Sequence, residues 1–253
     1  MPNNPELHSP RSHAAFAWAA HRRRPAFLLL LLTGLVLFMV WLPVATRTEL
    51  WLALRSQRNL FLLLLCFALV TVSLIWSAGQ RMDARVFKLF NMQLYPKWLD
   101  GFMWLITQLG NMLAALFAAM LCFIFNYRSL AILVIMGTFT LWLLVELIKA
   151  IADRERPFLA LENTRVIGLR EKGDSFPSGH TAQIFFLTTI FIYYFQLELG
   201  VSITLYMVAV LVGFTRIYVG AHYPRDVFAG LVLGSVWGIL ATMSDSYWFG
   251  FHS

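Results

Sequence analysis

Charge is what this sequence has least of. Only 13% of its 253 residues are Asp, Glu, Lys or Arg, while 59% are hydrophobic, too little polar surface to clothe a soluble globular domain. Cysteine is nearly absent. Cys66 and Cys122 both lie inside apolar runs, where they pack as small hydrophobes, and a disulfide-framed secreted domain is excluded. No compact group of His, Cys and carboxylates has zinc-ligand spacing, so neither a metal nor another cofactor is expected. Internal repeats, low-complexity linkers and shifts of composition are all missing, which leaves one domain and excludes a solenoid. Acidic residues number 13 against 20 Lys and Arg, a formal charge of +7. In a soluble protein that balance would point to nucleic acid. Here the cations stand at the ends of apolar segments, where lipid headgroups or an anionic substrate meet them, and no nucleic-acid partner is expected.

Long apolar runs are what the sequence has in plenty. About 20 residues at helical rise cross a bilayer core, and runs of that order lie at 26–45, 60–78, 101–125, 129–148, 180–199, 201–219 and 227–243. The expectation is an all-α fold, a polytopic transmembrane bundle of six to seven membrane-spanning helices. Residues 1–25 read as a polar basic N-terminal segment, 26–100 as N-terminal membrane helices with an interfacial segment, 101–243 as the core bundle, and 244–253 as a tail. The first run follows His21-Arg22-Arg23-Arg24 but carries Trp41 and Pro43 and no small-residue cleavage site, so it reads as an uncleaved helix and not a signal peptide. Residues 79–99 interleave Arg81, Asp83, Arg85, Lys88 and Lys97 with Val86, Phe87, Leu89, Phe90 and Trp98. That is the pattern of an amphipathic segment at the interface, or of a solvated loop with anchoring aromatics. Asn126-Tyr127-Arg128 makes a tight hairpin turn. The polar stretch from Ala150 to Pro177 is long enough to cover a site or select a substrate.

Three motifs stand at the ends of apolar segments: Lys149 with Arg156-Pro157, then Pro177-Ser178-Gly179-His180, then Arg216 with His222 and Asp226. The first lies at the exit of the fourth run, the second at the entry of the fifth, and the third between the sixth and seventh. Alternation therefore puts all three on one membrane face. Lys149 and Arg156 are two helical turns apart, so both can point at one anion, Lys as a compact charge and Arg as a planar fork. Alone, that pair would read as interfacial cations reaching for headgroups. Glu146 reads as a salt-bridge partner of Lys149, and Asp153-Arg154-Glu155 as a solvated charged turn. The Pro177–His180 turn opens a helix whose free N–H groups and dipole favour phosphate. Gly179 lets backbone approach closely, and Ser178 serves as helix cap, phosphate donor or both. A protonated His180 can give its proton to a departing oxygen. Arg216 inside an apolar run is costly unless it meets an anion. His222 and Asp226, four apart past Pro224, share a helix face, so the carboxylate can accept from one ring nitrogen while the other faces substrate. Together these residues are the inventory for binding and cleaving a phosphate ester.

The motifs resemble the signatures of the type 2 phosphatidic acid phosphatase superfamily, the lipid phosphate phosphatases: Lys-x6-Arg-Pro, Pro-Ser-Gly-His and Ser-Arg-x5-His-x3-Asp. Every charged and imidazole position matches within about residues 101–243, and Thr215 replaces the family's Ser with the hydroxyl kept. The resemblance implies an integral-membrane, metal-independent enzyme whose partners are a lipid phosphate substrate and membrane lipids. It implies that His222 is the nucleophile forming a phosphohistidine, that Asp226 orients it, and that His180 is the general acid. It implies too that Lys149, Arg156, Ser178, Gly179 and Arg216 hold the phosphoryl oxygens.

Undecaprenyl diphosphate, phosphatidylglycerophosphate, phosphatidic acid and lipid A phosphates all suit such a site, with discrimination left to the 158–176 loop. A lipid-to-lipid phosphotransferase would use the same residues. A non-catalytic lipid-binding protein would lack one of them, and a transporter would place its charges at midplane. Oligomeric state is not legible. Sidedness is pulled two ways. If all seven runs cross, the site's face carries all of the 20 Lys and Arg except Arg47, Arg55, Arg58 and Arg128, which the positive-inside rule places in the cytoplasm. The resemblance implies a site on the outer face of a bacterial cytoplasmic membrane, reached with six spans.

Overall fold

A computed structural model describes Thr33 and residues 58–74 and 77–248. The chain divides into two compact units, and every described residue but Thr33 belongs to the second, Arg58–Ser253. The apolar run at 26–45 and the basic segment before it lie outside the described residues, Thr33 excepted.

No strand occurs among the described residues. The helices are α1 (Arg58–Ser73), α2 (Ser77–Asn91), α3 (Lys97–Thr107), α4 (Met112–Ile124), α5 (Arg128–Ala152), α6 (Gly179–Tyr194), α7 (Leu199–Tyr218) and α8 (Pro224–Trp248). The protein is a multi-pass helical membrane protein. Among the described residues three segments, containing α5, α7 and α8, are long and apolar enough to cross alone; the α1/α2 and α3/α4 pairs, bent by 95° and 58°, raise the candidate spans there to five. Three expected runs differ from expectation. The helix of the 60–78 run ends at Ser73 after 16 residues. The 101–125 run breaks at the 3-10 turn Gln108–Gly110, after which Asn111 caps α4 by accepting from Leu113 N at 3.1 Å. The 180–199 run yields a 16-residue helix, short of the roughly 20 residues that cross a bilayer core.

That short helix is the hub of the bundle. A helix apolar all round is a buried helix, and α6 buries Ala182, Phe185, Phe186 and Ile190 among its neighbours. α8 crosses it closely because Gly230, Gly234 and Gly238 face it at four-residue intervals. A Cβ on Gly230 would sit 2.5 Å from the Ser178 carbonyl oxygen, one on Gly238 2.6 Å from Thr189 Cβ, and one on Gly234 closer still to the Ala182 carbonyl oxygen. Small-residue stripes of this kind let helix backbones touch in membranes. The contact sets the start of α8 against the start of α6, where Ser178 N donates to the Asp226 carbonyl at 2.9 Å.

Tyr127, at the α4/α5 turn, packs edge-on against Tyr194 and Phe195 at the far end of α6, with ring centroids 6.1 and 5.3 Å away. α5 and α6 are therefore antiparallel, and the three motifs share one end of the bundle, as alternation predicts. The 79–99 segment is helix over α2, not a loop. Asp83, Phe87 and Asn91, four apart, form its buried face. Asn91 Nδ2 donates to the carbonyls of Tyr218 and Arg165 at 2.9 Å each, and its Oδ1 accepts from Arg165 N at 2.9 Å. A helix outside the motif region thus anchors the loop that covers the site.

Candidate active site

α5 ends where Asp153 turns left-handed, at φ 44°, and Arg156 follows as the chain folds back into the bundle. Its guanidinium is buried at 1% exposure. Nη1 donates to Glu171 Oε2 at 2.8 Å, Nε to the Gly173 carbonyl at 3.0 Å, and Nη2 to the Lys172 carbonyl at 3.3 Å. Arg216, near the end of α7, donates from Nη1 to Thr107 Oγ1 at 2.8 Å and from Nη2 to Glu171 Oε1. The buried charge that the sequence predicted would need an anion has found one. His180 Nδ1 stands 3.8 Å from Glu171 Oε1, and His222 Nε2 stands 3.8 Å from Oε2. Two guanidiniums and two imidazoles from three motifs thus close around one carboxylate. Burial alone would raise the Glu171 carboxyl, but the charges around it, Arg216 foremost, hold it well below the usual carboxylate range.

His222 Nδ1 lies 2.7 Å from the Ser175 carbonyl oxygen. A carbonyl only accepts, so Nδ1 carries the proton and Nε2 keeps its lone pair, which faces Arg156 Nη1 at 3.5 Å. Burial pushes the imidazole pKa down, the Asp226 carboxylate pushes it back, and the Arg156 and Arg216 charges bring it to about 4. His222 is neutral at pH 7. The expected hydrogen bond from His222 to Asp226 is replaced by this main-chain contact. Asp226 Oδ2 is 3.8 Å from Nδ1 and accepts from Tyr223 N at 2.9 Å, while Oδ1 pairs with Arg154.

The remaining residues divide. Ser178 acts as the α6 cap, its Oγ accepting from Thr181 N at 3.5 Å and also from Thr181 Oγ1 at 2.9 Å. A Cβ on Gly179 would meet only Val145 Cγ1, at 3.6 Å. Lys149 is not drawn to the carboxylate; it pairs with Glu146 at 2.8 Å, as expected, and interacts electrostatically with His180. Arg154 is not a solvated turn residue. It is 12% exposed, pairs with Asp83 at 2.5 Å and with Asp226, and lies over the Tyr223 ring at 4.4 Å. Sequence reasoning singled out neither Glu171 nor Ser175, since one acts from a long loop and the other through its main chain. Asp83 left a signal in the four-residue spacing of Asp83, Phe87 and Asn91. From Glu171, His180 and Arg216 a cavity of about 280 Å³ opens between Trp104, Phe158 and Leu169 on one side and Thr107, Gln108 and Asn111 on the other.

The PAP2 superfamily pattern matches residues 128–249. Phosphatidylglycerophosphatase B of Bacillus subtilis is 30% identical over 186 residues, covering 68% of this chain and 87% of that protein. The chain belongs to the PAP2 superfamily. An undecaprenyl-diphosphatase of Sulfolobus acidocaldarius is 27% identical over 195 residues, covering 74% of this chain and 91% of the relative. The crystal structure of a transmembrane PAP2 type phosphatidylglycerolphosphate phosphatase from Bacillus subtilis superposes with a TM-score of 0.66 at 27% identity, covering 76% of this chain and 98% of that one. The PAP2 pattern begins at α5, so α1 to α4 lie outside it, and Asp83 reaches from α2 to Arg154 and Arg225 inside it.

Proposed function

We propose that the protein removes the terminal phosphate of a membrane lipid mono- or diphosphate, without a metal, through a phosphohistidine on His222. That it is a hydrolase acting on lipid phosphates follows from its superfamily and from relatives named as phosphatases. The observation that carries the finer reading is the convergence of Arg156, Arg216, His180 and His222 on one buried carboxylate, since a phosphoryl group asks for the same donors.

Nε2 of neutral His222 attacks phosphorus and the bond from phosphorus to the lipid oxygen breaks. That oxygen takes a proton from His180, whose imidazole pKa is pushed down to about 3 by burial and then by Arg216, and which takes up its proton as the phosphate dianion replaces the single charge of Glu171. Water then attacks the phosphorus of the phosphohistidine and gives a proton to His180. The N–P bond breaks and inorganic phosphate leaves. Arg156, Arg216 and the first turn of α6, with Ser178 and Gly179, bear the charge on the non-bridging oxygens, and Lys149 adds field from one turn further along α5. Asp226 fixes the turn that carries His222, and the Ser175 carbonyl fixes its tautomer. Phosphatidylglycerophosphate and undecaprenyl diphosphate, named for the relatives, lead the candidate substrates, with phosphatidic acid and lipid A phosphates behind them. The site faces outward from a bacterial cytoplasmic membrane.

The test is phosphate release by detergent-purified protein from a panel of lipid mono- and diphosphates with excess chelator. Release should persist in chelator and fall at least about a thousandfold in His222→Ala and His180→Ala, the scale of losing a reacting group. Full activity in His222→Ala would sink the nucleophile assignment, and chelator sensitivity would sink metal independence.

A further inference from the structure

The pocket is closed by the chain itself. Glu171 lies on a six-residue flap, Gly168–Gly173, whose two end glycines have φ of +82° and +78°, a region that favours glycine. The chain on either side is tied down. Ile167 N donates to the Val219 carbonyl at 3.2 Å and Arg165 Nη2 holds Asp100 at 2.7 and 2.8 Å, while Ser175 N donates to the Arg154 carbonyl at 2.7 Å. Between these anchors the flap is held through the site's own cations. Arg156 reaches Glu171, Lys172 and Gly173, and Arg216 reaches Glu171. Leu169 at the tip is 93% exposed. Arg170 of the flap also lies over the Phe158 ring at 5.8 Å, and an anion that claims Arg156 and Arg216 removes the ion pairs that hold Glu171 in the pocket.

The chemistry of that exchange depends on the ligand. A carboxylate offers two oxygens and one negative charge. A phosphodiester headgroup also offers two non-bridging oxygens and one charge, so replacing Glu171 with it gains the cations nothing. A terminal phosphate offers three oxygens and a charge of about −1.5 to −2 at pH 7, one more strong acceptor than the group it displaces. His180, 24% exposed and 3.8 Å from the present carboxylate, is placed to meet the third oxygen. Membranes hold anionic phosphodiester lipids in large excess, and an open pocket of two buried arginines would fill with them. A tethered competitor works at an effective concentration in the millimolar range.

We propose that Glu171 is a specificity-determining residue, an internal anion that only a terminal phosphate displaces, so that phosphodiester lipids are excluded from the site. The inference rests on the phosphatase reading above. The test uses phosphatidic acid in mixed micelles titrated with phosphatidylglycerol, comparing the wild-type protein with Glu171→Gln and Glu171→Asp. In Glu171→Gln, the KM, the inhibition constant of inorganic phosphate and the mole fraction of phosphatidylglycerol that halves the rate should each fall about tenfold, the worth of one charge-assisted hydrogen bond. Glu171→Asp keeps the charge and should stay close to wild type in its resistance to phosphatidylglycerol. Glu171→Ala reads the same quantities should Glu171→Gln not fold.

Unchanged KM and unchanged phosphatidylglycerol inhibition would overturn the proposal. So would a loss confined to kcat, which would put Glu171 in the chemistry. If wild-type protein released no phosphate from any lipid, the phosphatase reading would fail by itself. Thermal stabilisation by inorganic phosphate would then decide the gate, which requires tighter binding in Glu171→Gln and is overturned by equal binding.

Discussion

His222 owes its unprotonated nitrogen to a neighbour's main chain, and its neutrality to burial beside two guanidiniums. Both have a measurable signature. In 15N-histidine NMR of the detergent-solubilised protein, one imidazole should keep its Nδ1–H tautomer from pH 7 down to about 4; titration near the ordinary value of about 6.5 would contradict the burial argument. The sign for stability follows. An unfolded imidazole takes its proton near ~6.5 and the folded one only near 4, so between those values the unfolded state binds more protons. His222 therefore costs stability as pH falls through that window and leaves it intact above. At this scale the sequence was partly legible. Arg156, Arg216, His180 and His222 stood out because each lies in a local motif. Glu171 meets its cations across 15 and 45 residues of chain, and no local pattern marks such a contact. Ser175 could not have been found at all, since the group it supplies is common to every residue.

Among the elements, α2 was legible in kind and not in use. Alternating charge and aromatics announced an amphipathic segment, but the buried face of its helix turns a carboxylate toward the site. Asp83, 3% exposed, holds Arg154 at 2.5 Å and Arg225 at 2.6 Å, and Arg154 in turn holds Asp226. Glu146 and Lys149 fit their sequence reading; Arg154 did not, because its partner lies 71 residues away on α2. Asp83→Ala would leave Arg154 with Asp226 as its one carboxylate and Arg225 with Ser73 alone, and removing one partner of a buried pair costs about 3–5 kcal/mol. Its melting temperature in detergent should drop by several degrees, with phosphate release lost well below the wild-type inactivation temperature. An unshifted melting curve would show that α2 is a passenger.

The bundle as a whole brings the three motifs to one end by the plain alternation of helices, which the order of apolar runs made readable. What alternation cannot supply is direction, because the cations on the site's face serve substrate as well as topology. Leu169→Cys places a thiol on the exposed flap. In intact cells it should react with a membrane-impermeant maleimide, over the background of Cys66 and Cys122; reaction only after lysis would put the site in the cytoplasm. The shortness of α6 has a consequence of its own. Gly179 lies level with Val145, yet α5 continues to Ala152, about 10 Å further at ~1.5 Å per residue. From Arg128 to Val145 the same helix rises about 26 Å, close to the ~30 Å of a hydrocarbon core. If the Arg128–Val145 stretch fills the hydrocarbon core, the candidate site lies about level with the lipid phosphates and below the end of α5. Drawing a chain out of the bilayer costs about 0.8 kcal/mol per CH₂, and an active site sunk to that depth leaves the acyl or prenyl tail where it is.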